Sequence, residues 1–123
     1  MAKNILIVDD EPNISLSLQF LMTQAGYEVR IAADGEVALQ EVESSPPDLI
    51  LLDVNMPKRS GFEVCETIRA NAAWSNVRIV MLTAKGREIE KEQGLALGAD
   101  DYVTKPFSTQ EIVAKVNAML AES

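Results

Sequence analysis

Five residues in this sequence could do chemistry together, and they close four strand-like runs, the first three largely apolar. Ile5-Leu6-Ile7-Val8 ends in Asp9-Asp10, Leu49-Ile50-Leu51-Leu52 ends in Asp53, Val77 to Leu82 ends at Thr83, and Asp101-Tyr102-Val103-Thr104 ends at Lys105. Two carboxylates about 4 Å apart repel by roughly 4 kcal/mol at an effective dielectric of about 20. Three aspartates brought together must therefore hold protons or a cation. The chain has no histidine, so the donors are hard oxygens, which favours Mg2+ over zinc. An open Mg2+ site keeps positions for phosphate oxygens. Lys105 would add positive charge where that of a phosphoryl group is negative, and Thr83 can donate a hydroxyl hydrogen bond to it. An aspartate can form an aspartyl phosphate, and Asp53 is the best placed, ending the central run between the metal side and the Thr83/Lys105 side. Each residue alone has a plainer reading, as a helix cap, a loop hydroxyl or a solvated lysine. Together, however, all four run ends supply one part each of a single phosphoryl site.

The elements that must position these residues alternate. After the first run, Ile14, Leu18, Leu21, Met22 and Ala25 recur at helical spacing, and Gly26 follows as a stop. Tyr27 to Ala32 alternates like a strand with one exposed face, which suits an edge. Asp34-Gly35 opens a helix through Leu39 and Val42 that Pro46-Pro47 ends. After Asp53, a loop from Val54 to Gly61 precedes a helix through Val64 and Ile68, and Ser60 with Glu63 has capping-box spacing. A helix from about Arg87 to Leu97 stops at Gly98. Gly94 interrupts it and Arg87 to Glu92 is largely charged, so it reads as soft. Ser108 and Glu111 open a last helix with Ile112, Val116, Met119 and Leu120 inward. Strict strand–helix alternation implies an α/β doubly wound, five-stranded parallel sheet with five flanking helices. The central runs lack polar alternation, as strands covered on both faces do. In such sheets ligands sit beyond the carboxyl ends of the strands, where strand order reverses. In the flavodoxin-like order 2-1-3-4-5 strands 1 and 3 are neighbours, so the three aspartates share one crevice flanked by Thr83 and Lys105.

At 123 residues and 47% hydrophobic content, the chain is one ordinary domain that needs no staples. Its one cysteine, Cys65, cannot form an internal disulfide and reads as a small apolar helix residue, fitting a reducing, cytoplasmic setting. No apolar run is long enough for a membrane span or signal core. A net charge of −8 disfavours direct nucleic-acid binding, and the lack of histidine excludes a Ser-His pair or a phosphohistidine on this chain.

With these residues on view, the sequence resembles the receiver domains of two-component response regulators. "VDDEP" at 8–12, "LLDVNMPKRSGFE" at 51–63, "LTA" at 82–84 and "GADDYVTKPF" at 98–107 carry the resemblance, which covers residues 1–123 as one receiver domain. It implies that Asp53 is the phosphoacceptor, charged by a sensor histidine kinase or histidine phosphotransfer protein. It implies Mg2+ bound by Asp10, Asp53 and the backbone carbonyl of Asn55, with Asp9 in support. Thr83 and Lys105 would bind the phosphoryl oxygens, Lys105-Pro106 would be a cis peptide, and Tyr102 would turn inward as Thr83 closes. Asn55 and Lys85 hold positions that vary in the family and tune phosphoryl lifetime. The implied output is a change in the face of the fourth helix, fifth strand and fifth helix, which controls an effector domain or partner.

Two other readings compete. A small Mg2+-dependent phosphatase with an aspartate nucleophile shares the chemistry, but such enzymes carry Asp-x-Asp after strand 1 and usually a cap domain. An unphosphorylated receiver-like scaffold is disfavoured because no site position is missing. A nucleotide-binding fold would carry a Gly-rich loop after strand 1. The domain is expected to catalyse only its own phosphorylation and dephosphorylation. With no output segment after the last helix, it reads either as a stand-alone regulator or as part of a longer protein.

Overall fold

The computed structural model describes residues 2–56, 59–84 and 87–121. Five strands, β1 (Asn4–Val8), β2 (Glu28–Ala32), β3 (Leu49–Asp53), β4 (Arg78–Ala84) and β5 (Asp101–Lys105), form one parallel sheet in the order β2-β1-β3-β4-β5. They alternate with α1 (Pro12–Gln24), α2 (Gly35–Ser44), α3 (Gly61–Arg69), α4 (Glu88–Ala96) and α5 (Thr109–Ala121). The expected α/β doubly wound architecture and strand order are both present. A 3-10 turn at Ala72–Trp74, capped by the Asn71 side chain, was not anticipated from the sequence.

Strand pleating explains the two cores. Leu6, Val8, Ile50, Leu52, Ile79 and Met81 point to one face and meet Ala38 and Val42 of α2 and Val64, Cys65 and Ile68 of α3. Ile5, Ile7, Leu49, Leu51, Val80 and Leu82 point to the other and meet Leu18 and Met22 of α1 and Ile112, Val116 and Leu120 of α5. β3 is buried at every residue, which is why its sequence shows no alternation. Cys65 is buried, and burial pushes its thiol up to about 11, so it acts as packing.

The caps follow the sequence signals. Pro12 begins α1, where a missing N–H costs nothing. Asp34 accepts the Val37 N–H, and Ser60 with Glu63 forms a full capping box. Ser108 Oγ accepts the Glu111 N–H at 2.9 Å. Gly26 and Gly98 follow α1 and α4 with φ of 99° and 108°, the left-handed conformation that ends helices. α4 runs through Gly94 for a packing reason: a Cβ there would lie 3.1 Å from Met81 Cγ on β4.

Gly61 fixes how closely α3 approaches the end of β3. A Cβ at that position would sit 2.2 Å from the Asp53 carbonyl oxygen and 2.8 Å from Val54 Cα, both backbone atoms. Gly61→Ala should therefore destabilise the fold by about 1–3 kcal/mol, measured by urea unfolding. A variant as stable as the parent would show that α3 shifts away freely.

Candidate functional site

The chain reverses its winding between β1 and β3, and the polar residues gather there, at the carboxyl edge of the sheet. Val8 is in register with Leu52, Asp53 with Leu82, Thr83 with Thr104, and Ala84 with Lys105. Alignment of these strand ends brings the run-closing residues to one level. Asp9, Asp10 and Asp53 each offer a carboxylate oxygen, all within 4.8 Å of one another. Asp9 and Asp53 are buried, at 1% and 5% exposure, whereas Asp10 is exposed.

Lys105 crosses from β5 over the end of β4 to reach them. Its Nζ lies 3.0 Å from Asp9 Oδ2, 3.4 Å from Asp53 Oδ1 and 3.4 Å from Glu11 Oε1. The Lys105-Pro106 peptide is cis. Burial lowers the affinity of the ammonium for its proton, but Asp9, Asp53 and Glu11 together outweigh burial and raise its pKa. Asp9 also accepts the Glu11 N–H through Oδ1 at 2.9 Å, so it does serve the helix start as well as the cluster. Glu11 was not singled out by sequence. Its neighbour acids were, and only the fold shows that it shares their ammonium.

Thr83 is fully buried, and its hydroxyl has no hydrogen-bond partner among the described residues. A buried hydroxyl left without a partner in a native fold calls for a physical reason, and here it stands at the end of β4, between Asp53 and Lys105 in strand order. Asn55 follows, its N–H 3.4 Å from Asp53 Oδ1. Tyr102, in register with Met81, is partly buried, with the ammonium groups of Lys91 and Lys115 at 4.9 and 5.4 Å from its ring centre. Lys85 lies outside the described residues.

Among the described residues, one ammonium faces three aspartates, which leaves the crevice negative. The donors are hard oxygens without nitrogen or sulfur, the chemistry that suits a divalent cation such as Mg2+. With no ion bound, burial raises the Asp53 carboxyl to about 6, Asp9 adds to the rise, and Lys105 and the Asn55 N–H oppose it.

This crevice in a flavodoxin-like sheet defines an acidic α/β domain with its polar chemistry at the topological switch point. The chain belongs to the response regulator receiver domain family of two-component signalling, whose model matches residues 5–117. It is 50% identical over all of its 123 residues to the alkaline phosphatase synthesis transcriptional regulatory protein PhoP of Bacillus subtilis, and spans about half (50%) of that relative's length. Among solved structures, it resembles a response regulator of Chloroflexus aurantiacus (40% identity, TM-score 0.95, covering 98% of this chain and 99% of that one). It also resembles the chemotaxis response regulator CheY4 of Vibrio cholerae (33% identity, TM-score 0.91, covering 97% and 99%). Among the described residues no helix is long and apolar enough to cross a membrane.

The Asp53 shift carries a sign. An unperturbed aspartate titrates at 3.8 and the folded, metal-free group at about 6, so the folded state holds a proton that the unfolded chain has lost between those values. The stability attached to that proton is fully present below about pH 4 and is lost as pH rises through about 6. Two pKa units correspond to about 3 kcal/mol. In chelator at pH 7.5, Asp53→Asn should therefore be more stable than the parent by up to about 3 kcal/mol, and by under about 1 at pH 4.5. Urea titrations at both pH values test this, and equal stabilities at pH 7.5 would refute it.

Proposed function

We propose that this domain is a phosphorylation-dependent switch in which Asp53 accepts a phosphoryl group from a phosphohistidine on a sensor histidine kinase or histidine phosphotransfer protein. One observation carries the reading. A buried Asp53 carboxylate has Lys105 Nζ 3.4 Å from its Oδ1, and near the end of the adjacent strand the buried Thr83 hydroxyl has no partner among the described residues. Nucleophile, cation and spare donor thus stand at one switch point. In the transfer, the N–P bond of the phosphohistidine breaks as an O–P bond to an Asp53 carboxylate oxygen forms, and the electron pair of the broken bond returns to the imidazole nitrogen.

The residues then divide the work. Lys105 and the Thr83 hydroxyl bind the phosphoryl oxygens. Asp10, Asp53 and the backbone carbonyl of Asn55 would hold Mg2+, with Asp9 in support. When bound, Mg2+ supplies Lewis-acid neutralisation of phosphoryl charge. As Thr83 turns to the phosphoryl group, Tyr102 turns inward and the face of α4, β5 and α5 changes. That face meets an effector domain or target protein. By likeness to the Bacillus relative, named a transcriptional regulatory protein, the output is control of transcription by such an effector. The domain itself, at net charge −8, makes no direct nucleic-acid contact. It catalyses only its own phosphorylation and dephosphorylation, as a single receiver domain over residues 1–123, in the cytoplasm.

Incubation with Mg2+ and acetyl phosphate should give a base-labile adduct of one phosphoryl mass by intact mass spectrometry, absent in Asp53→Ala. An adduct that survives that substitution, or rapid turnover of many phosphoesters, would sink the reading.

A further inference from the structure

Beyond Asp9 and Asp53, one other carboxylate is buried among the described residues: Glu90, at 4% exposure in the first turn of α4. Its neighbour Ile89 is 68% exposed, so this turn faces its acid inward and its apolar residue outward. Burying a charge is costly unless it is well paired, and the pairing here is loose. Glu90 Oε2 accepts from Asn55 Nδ2 at 3.4 Å, and Oε1 accepts from the Ala84 N–H at 3.4 Å, both beyond the usual hydrogen-bond range. Its one ionic partner among the described residues, Arg87, has its Nη2 3.4 Å away and is itself 59% exposed.

These two donors have a particular address. Asn55 gives its side-chain amide to Glu90 and its backbone N–H to Asp53 Oδ1, so one residue bridges the two buried carboxylates. Ala84 directly follows Thr83 and lies in register with Lys105. We infer that Glu90 is a positioning residue, which holds Asn55 and the end of β4 while Asp53 is unmodified and couples a change at Asp53 to the first turn of α4. The inference rests on the phosphoryl-switch reading above.

The coupling is competition for donors. A phosphoryl group on Asp53 brings additional anionic oxygens, to which N–H groups bind more strongly than to a loosely held carboxylate. As Asn55 and Ala84 turn toward the phosphoryl group, Glu90 loses its partners in a buried setting, and the α4 turn must move to hydrate it. By linkage, Glu90 opposes phosphoryl binding as strongly as phosphoryl binding displaces Glu90.

The test uses beryllofluoride with Mg2+ as the phosphoryl mimic, followed by fluorine NMR for affinity and by amide exchange of residues 88–96. In the parent, beryllofluoride should lower protection across these amides. In Glu90→Gln, which keeps the side-chain shape, affinity should rise about tenfold, the size expected from releasing a charged acceptor, and the α4 response should disappear. Asn55→Ala keeps the backbone carbonyl but removes the donor both anions compete for, so it should lower beryllofluoride affinity, and Glu90→Gln should then raise affinity by less than it does in the parent. A purely structural Glu90 would lower the melting temperature and leave affinity and the α4 response unchanged, which overturns the inference. Fully additive effects of the two substitutions overturn it as well. If the parent takes up neither beryllofluoride nor a phosphoryl group from acetyl phosphate, the switch reading falls and takes this inference with it. A parent that responds while Glu90→Gln responds identically overturns this inference alone.

Discussion

The arrangement of this domain depends on holding like charges together at the carboxyl edge of a buried sheet. Asp9 and Asp53 are almost fully enclosed, and among the described residues Lys105 is the single ammonium within reach of both. That balance is incomplete by construction. A carboxyl raised to about 6 is one the fold would rather see neutral. The residual energy is what makes the crevice receptive to a cation and, beside it, to a group that redistributes charge. A site that satisfied its own electrostatics would have nothing to respond with.

Most of the scaffold can be seen in the chain itself, because a strand covered on both faces cannot afford polar alternation. The four residues of β3 before Asp53 are apolar for that reason, and the polar residue that ends such a run can only lie at the sheet's edge. Asp9, Asp53 and Thr83 were legible on those grounds, Lys105 by closing the last, half-buried strand, and capping residues such as Asp34 and Ser60 because their partners are three residues away. The joint geometry was less accessible. Nothing local says that Lys105 reaches past β4 to Asp9, or that Glu11 shares that ammonium. Such contacts depend on strand order.

Glu90 shows the limit most clearly. In a charged stretch from Arg87 to Glu92, an acid reads as solvated and an isoleucine as the inward anchor, yet the fold reverses them. The donors that let Glu90 turn inward come from Asn55, 35 residues away in sequence, and from Ala84 on the preceding strand. Periodicity counts only neighbours on the same helix, so a buried acid satisfied from elsewhere is invisible to it. Gly94 has a role that is hidden for a related reason: its missing Cβ lets α4 approach Met81 on β4.

These two features of α4 belong together. The helix is pressed onto β4 at Gly94 and anchored at its first turn by a carboxylate with only long contacts, while Ile89 and Leu95 face solvent. One end is therefore set by close packing, which changes only in discrete steps, and the other by electrostatics, which responds to charge nearby. α5, by contrast, buries only Ile112, Val116 and Leu120 against the sheet, while α1 adds to Leu18 and Met22 the buried Ser15, whose hydroxyl donates to the Asp9 carbonyl at 3.1 Å. α1 is thus tied to the crevice by contacts of ordinary length, that hydroxyl and the Glu11 N–H on Asp9 Oδ1 at 2.9 Å. On α4 the tie is the loose one: Asn55 donates to both Asp53 and Glu90 at 3.4 Å, so a charge change at Asp53 meets little resistance on its way to the first turn of α4.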